Sequence, residues 1–227
     1  MDLKNIKAII FDAEGVVVDT EALWDKSQDV LLGRRGLPYD REYLKPKMAG
    51  QTLLEGAQLM VDYYGLNEKA VHIEQERREL IHDLFENEIN FIDGFLPFIN
   101  SIKNTDLKIS IATAMNKSLM SKVEAKLGLS KFFGGHIYFI EDVGNKSKPS
   151  PDVFLLAAKK LGIDPPDCIV IEDAPYGIEA ANRAGMKSIG ITTTFLNSQL
   201  SKASYVVEDF VEIRELLNLE RFNIKSV

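Results

Sequence analysis

IIFDAEGVVVDTE, residues 9–21, carries the apolar run AIIF (8–11) straight into an acidic turn that contains a glycine. Two carboxylates, Asp12 and Glu14, stand two positions apart where that run ends. Three more runs, ISIA (109–112), CIVI (168–171) and SIGI (188–191), share its length and its branched side chains. Short, continuous and apolar, they have the character of parallel strands buried on both faces. HIYFI (136–140) is a weaker candidate, and SYVVE (204–208) suits an edge strand. Between them lie the helical patterns LMSKVEAKLG (119–128), DVFLLAAKKLG (152–162) and GIEAANRAG (177–185), each ending in glycine. Strands alternating with helices of this length predict an α/β fold with a doubly wound, Rossmann-like parallel sheet.

Residues 20–91 break the alternation. No strand pattern occurs there, but EALWDKSQDVLLGRRG, TLLEGAQLMVDYYG and EKAVHIEQERRELIHDLFENEI are amphipathic at helical spacing. The expected organisation is a core of residues 1–19 and 92–227 interrupted by an all-helical cap domain, 20–91. The charge run EQERRE reads as the solvated face of the last cap helix.

Composition narrows the function. The chain has 227 residues, 45% of them hydrophobic, and 34 acidic against 27 basic residues, for a net charge of −7. That balance argues against nucleic acid, whose non-specific binding depends on Lys and Arg neutralising phosphates. No apolar run approaches membrane-spanning length, and the N-terminus lacks a signal-peptide pattern. Cys168, the one cysteine, opens an apolar run and reads as a small buried hydrophobe. A cytoplasmic location is expected.

Ligands of a doubly wound sheet bind outside the carboxyl ends of its strands, so the residues after each run matter most. Asp12 and Glu14 follow the first run; Thr113, Ala114, Asn116 and Lys117 follow ISIA. Glu141, Asp142 and then Lys148 follow HIYFI, and Glu172 and Asp173 follow CIVI. Several carboxylates in one crevice repel one another unless a cation is present. An all-oxygen set suits a hard ion such as Mg²⁺, and His72, His82 and His136 show no ligand spacing. A phosphate would suit Lys148, the Thr113 hydroxyl and the backbone N–H groups of the turns. Taken singly, Asp142, Asp173, Thr113 and Asp152 also fit helix caps, and Lys148 fits a surface lysine. The functional reading rests on their falling together.

FDAEGVVVDTE, IAT, KPSPD and IEDAPYGIEAANRAG resemble, in order and spacing, the four motifs of the haloacid dehalogenase superfamily. The resemblance is to its sugar-phosphate phosphatase and β-phosphoglucomutase-like branch, which carries a helical cap after the first motif. It implies Asp12 as the nucleophile that forms an aspartyl-phosphate, and Glu14 as the acid/base. It also implies Thr113 with Ala114 on the transferring phosphoryl group, and Lys148 neutralising charge. Asp12, the Glu14 carbonyl, Asp173 and Glu172 would hold Mg²⁺, the last directly or through water. Gly50, Gln51 and Thr52 would bind substrate from the cap, which would serve as a lid. The implied partner is a small phosphorylated metabolite, and the expected assembly a monomer or weak homodimer.

Two positions depart from the family pattern. Glu14 stands where the family's phosphatases place an aspartate, which leaves a working acid/base on a longer arm, an impaired enzyme and an altered reaction all open. Leu53 stands where the mutases carry a cap arginine for a second phosphate, with Lys45 or Lys47 as possible substitutes. A binding protein that has lost turnover is the alternative from another class, supported by Glu14 and by Ala174, where the family often has serine. Tyr176 reads as packing or as a substrate-facing aromatic.

Overall fold

The computed structural model describes residues 3, 5–48, 51–103 and 105–218. It divides into two compact units, Met1–Asp19 with Asn90–Val227, and Thr20–Ile89.

The first unit is built on six parallel strands: β1 (Ala8–Phe11), β2 (Lys108–Thr113), β3 (Ile137–Phe139), β4 (Cys168–Glu172), β5 (Lys187–Ile191) and β6 (Tyr205–Val207). Their order is β3-β2-β1-β4-β5-β6. The chain winds outward one way from β1 to β3, then restarts beside β1 and winds the other way. Strand order therefore reverses between β1 and β4, where a doubly wound sheet opens its binding crevice. The register aligns Phe11 with Ile171, so β4 ends one residue beyond β1.

Side chains alternate across the sheet. Ala8, Ile10, Ala112, Cys168 and Val170 pack with α8 (Asp152–Leu161) and α9 (Pro175–Arg183). On the other face, Phe11 meets Phe95 and Phe98 edge-on. Both rings come from α5 (Phe95–Ile102), and Phe210 of α10 (Phe210–Leu217) packs against them. Phe133 of α7 (Ser130–Phe133) completes the cluster. Cys168 is fully buried, and burial pushes its thiol up to about 11.

The second unit is all-helical: α1 (Glu21–Gly33), α2 (Arg41–Met48), α3 (Leu53–Tyr64) and α4 (Ala70–Asn87). Leu31, Leu32, Ala57, Met60 and Ile73 form its centre. One expectation fails here: EQERRE is not a uniformly solvated face. Arg77 is 3% exposed and donates to the Leu53 carbonyl at 2.9 Å. It lies one helical turn beyond buried Ile73, and Gly56 leaves room for its guanidinium. Among the described residues no helix is long and apolar enough to cross a membrane.

Candidate active site

The apolar run AIIF ends at the sheet's switch point, and the next residue is Asp12, 6% exposed. Its backbone N–H continues the ladder by donating to the Ile171 carbonyl at 3.0 Å, which anchors the side chain at the crevice between β1 and β4. The turn that follows is tightly closed. Gly15 donates to the Val18 carbonyl, and Val17 and Val18 both donate to Ala13, each at 2.9 Å. Gly15 has φ +70°, and a Cβ there would collide with the Asp173 carboxylate. Both facts require glycine. Glu14 sits just before it, half-buried and bridged to Val18.

Lys148 reaches the crevice from the segment between β3 and α8, where the Lys148–Pro149 bond is cis. Its ammonium bonds the Asp12 carboxylate and donates to Glu172 Oε1 at 2.7 Å. The other Glu172 oxygen accepts the Ala174 N–H at 2.8 Å, at the start of α9. Glu172 is thus committed to Lys148 and to the helix end. Asp173, 6% exposed, lies over the Gly15 turn instead.

Three buried carboxylates lie near one ammonium that bonds two of them, and the titration of the site reflects it. Burial raises the Asp12 carboxyl to about 7, with Glu172 and Glu14 pushing the same way and Lys148 opposing. Burial, then Glu172 and Asp12, hold the Asp173 carboxyl well above its ordinary range. Burial works against the Lys148 charge, but Asp12 and Glu172 outweigh it and hold the ammonium above its usual value. The site gathers more carboxylates than ammonium groups in a buried setting.

Thr113 ends β2, fully buried, and its hydroxyl oxygen accepts the Met115 N–H at 3.0 Å, leaving its proton to donate elsewhere. It caps no helix: Asn116 caps α6 (Lys117–Leu127) by accepting the Leu119 N–H at 2.9 Å. Ala114 follows Thr113 and opens the bend after β2. Glu141 and Asp142 turn to Lys117, accepting its backbone N–H at 3.1 Å and its ammonium at 2.7 Å. Asp152 binds Lys146 at 2.8 Å and Ser150 at 2.5 Å.

In the helical unit, Thr52 caps α3 through a reciprocal pair with Glu55, and the Gln51 N–H donates to Met48 at 3.1 Å. Gly50 lies outside the described residues. Lys45 pairs with Glu21 and with Asp25, the latter at 3.0 Å. Lys47 lies 3.4 Å from the centre of the Tyr43 ring.

Two contributors, Thr193 and Thr194, are absent from the residues singled out by sequence. The Thr193 hydroxyl donates to the Gly15 carbonyl at 2.5 Å, and the Thr194 hydroxyl faces the Gly15 α-carbon beside Asp173. The signal was the one used elsewhere, polar residues directly after an apolar run, here TTT after SIGI.

The four motifs and the parallel sheet match one known family over residues 9–191, described as haloacid dehalogenase-like hydrolase. The chain belongs to that family. It is similar to fructose-1-phosphate phosphatase YqaB of Escherichia coli (strain K12), 28% identical over 81% of this chain and 95% of that protein. It is equally similar, 28% identical over 82% of this chain and 83% of the other, to β-phosphoglucomutase of Bacillus subtilis (strain 168). Among solved structures it superposes on the haloacid dehalogenase-like protein of unknown function ATU0790 from Agrobacterium tumefaciens str. C58. That match has a TM-score of 0.80 at 26% identity, covering 95% of this chain and 99% of that one. This haloacid dehalogenase-like enzyme carries the family's hydrolase fold.

Proposed function

We propose that the chain is a Mg²⁺-dependent phosphatase that hydrolyses a small phosphate monoester, a phosphorylated sugar or related metabolite, through an aspartyl-phosphate on Asp12. The observation that carries the reading is the buried Asp12 carboxylate at the switch point, held by the equally buried Lys148.

Hydrolysis divides into two displacements. An Asp12 carboxylate oxygen attacks phosphorus, the bond to the ester oxygen breaks, and Glu14 gives that oxygen its proton. Glu14 then takes a proton from water, water oxygen attacks the aspartyl-phosphate, and Asp12 leaves as carboxylate. The Thr113 hydroxyl donates to a phosphoryl oxygen. Lys148 offsets charge where an anionic nucleophile meets an anionic ester.

The residues fit a hard divalent cation. Among the described residues no three His, Cys, Asp or Glu side chains converge to hold a metal ion, and Glu172 is already committed. The donors would be Asp12, Asp173 and the Glu14 carbonyl, with Glu172 acting through water. This suits Mg²⁺, which takes one or two carboxylates and keeps several waters. When bound, it neutralises phosphoryl charge beside Asp12.

The fructose-1-phosphate phosphatase relative supports a sugar phosphate as substrate. The mutase relative is as similar, but Leu53 replaces the arginine expected for a second phosphate, and Lys45 is already ion-paired. The test is phosphate release from sugar, polyol and nucleotide monophosphates, with Mg²⁺ and with chelator. Mg²⁺-dependent release, strongest for sugar phosphates, is expected; no release from any ester would overturn the reading.

A further inference from the structure

We infer that Thr193 is a positioning residue for the Glu14 turn, an assignment that rests on the phosphatase reading above. Glu14 acts on a substrate oxygen from a single loop, so its reach depends on where the backbone of Ala13–Val18 is held. The internal hydrogen bonds of that loop define its shape but do not tie it to the rest of the crevice.

At its far end the loop is held by the Ile92 N–H, which donates to the Val17 carbonyl at 3.1 Å; at Gly15, next to Glu14, the tie comes from 178 residues away in sequence, in the segment after β5. The Thr193 hydroxyl donates to the Gly15 carbonyl at 2.5 Å, one peptide beyond Glu14. The opposite side of Gly15 is closed by the Asp173 carboxylate and the Thr194 hydroxyl, against which even a methyl group would clash. The turn is therefore gripped at the carbonyl and at the α-carbon of one residue, by consecutive threonines. The left-handed φ of +70° at Gly15 aims its carbonyl along the direction that Thr193 meets. Removing the hydroxyl releases one side of this grip and leaves the sheet, the Asp12–Lys148 pair and the fold unchanged.

The consequence is specific. Substrate affinity depends on the phosphate-binding groups and is unaffected, but proton transfer depends on the placement of Glu14. A full 1 Å misplacement costs on the order of 100-fold in rate, and loss of the one restraint nearest Glu14, with the others kept, is expected to cost about a tenth of that, roughly tenfold in kcat.

Thr193→Val is nearly isosteric and lacks the hydroxyl; Thr193→Ser keeps it. The assignment predicts that Thr193→Val loses about tenfold in kcat with KM within twofold of wild type, and that Thr193→Ser recovers most of that loss. It also predicts faster amide hydrogen exchange at Gly15, Val17 and Val18 in Thr193→Val only, with melting temperatures alike in all three proteins. Wild-type kcat and exchange in Thr193→Val, or a loss that Thr193→Ser does not recover, would overturn it. A wild type that releases no phosphate from any ester sinks the phosphatase reading instead, and the exchange comparison then decides the role of Thr193 by itself.

Discussion

Lys148 Nζ donates to Glu172 Oε1 at 2.7 Å, and both side chains are 1% exposed. A buried pair of this kind is costly to break, because removing one partner strands the other's charge. Lys148→Met strands both Glu172 and Asp12. The expected loss is about 3–5 kcal/mol, or roughly 10 °C in melting temperature for a chain of this size. Lys148→Met with Glu172→Gln should recover part of it. Differential scanning calorimetry of the two variants checks this, and an unchanged midpoint in the single variant would contradict it.

Surplus charge on Asp12 and Asp173 makes a cation stabilising. At about 100 times its Kd, Mg²⁺ should add about 2.7 kcal/mol, a midpoint rise on the order of 5–10 °C. Asp173→Asn removes a donor and should abolish most of that rise. Without Mg²⁺ it should melt higher than wild type, because it no longer buries a third carboxylate beside Glu172 and Asp12. A thermal-shift titration separates the outcomes; an equal Mg²⁺ shift in both proteins would exclude Asp173 from the site.

In the proposed mechanism Glu14 is the acid/base, so its reach governs turnover. Glutamate and aspartate differ by about half a unit in ordinary pKa, so Glu14→Asp changes reach rather than acidity. The surrounding turn is closed around the glutamate. The variant should therefore be slower, by up to roughly 100-fold in kcat, with KM little changed. Steady-state phosphate release measures it. A variant faster than wild type would mean that glutamate impairs the site.

Arg35 links three partners in the helical unit: Glu68 at 2.7 and 2.9 Å, Glu76 at 2.7 Å and the Leu31 carbonyl at 2.8 Å. The Arg35 hydrogen bonds hold the Glu68 carboxyl below its ordinary range. Burial works to raise Glu76, but Arg35 and Arg34 outweigh it. A carboxyl depressed in the folded state stabilises above its unfolded value, near 4.5, and that stability is lost as pH falls through the lower folded value. Arg35→Met should therefore lower the midpoint at pH 7 by on the order of 2 °C, and the gap should close progressively as pH falls below 4.5. Melting curves across that range test it; a gap that persists at low pH would assign the effect to the Leu31 contact.

Most of the sheet was legible because each strand is a short apolar run, and AIIF, ISIA, CIVI and SIGI all lie within observed strands. Even HIYFI and SYVVE contain β3 and β6. Four helices, α2, α5, α7 and α10, were not read from the sequence. REYLKPKM is charged at half of its positions and holds Pro46 inside α2, while FLPFINSI does place Phe95, Phe98, Ile99 and Ile102 at helical spacing but is only eight residues long and carries Pro97 in its first turn. Strand ends pointed to Asp12, Thr113, Lys148, Glu172 and Asp173, but not to how they divide their partners. That Glu172 spends both oxygens on Lys148 and Ala174 depends on the start of α9. That Arg77 leaves its charged run for the interior depends on Gly56, 21 positions earlier and on another helix. Local patterns carry neither fact.

The central claim is that phosphorus becomes bonded to Asp12, and one measurement addresses it. Enzyme mixed with a substrate ester and Mg²⁺ is acid-quenched within a single turnover and digested for peptide mass spectrometry. A phosphoryl mass increment is expected on the peptide that contains Asp12, absent when Asp12→Asn is treated alike and absent without substrate. Rapid phosphate release with no increment on that peptide, or turnover retained by Asp12→Asn, would contradict the account.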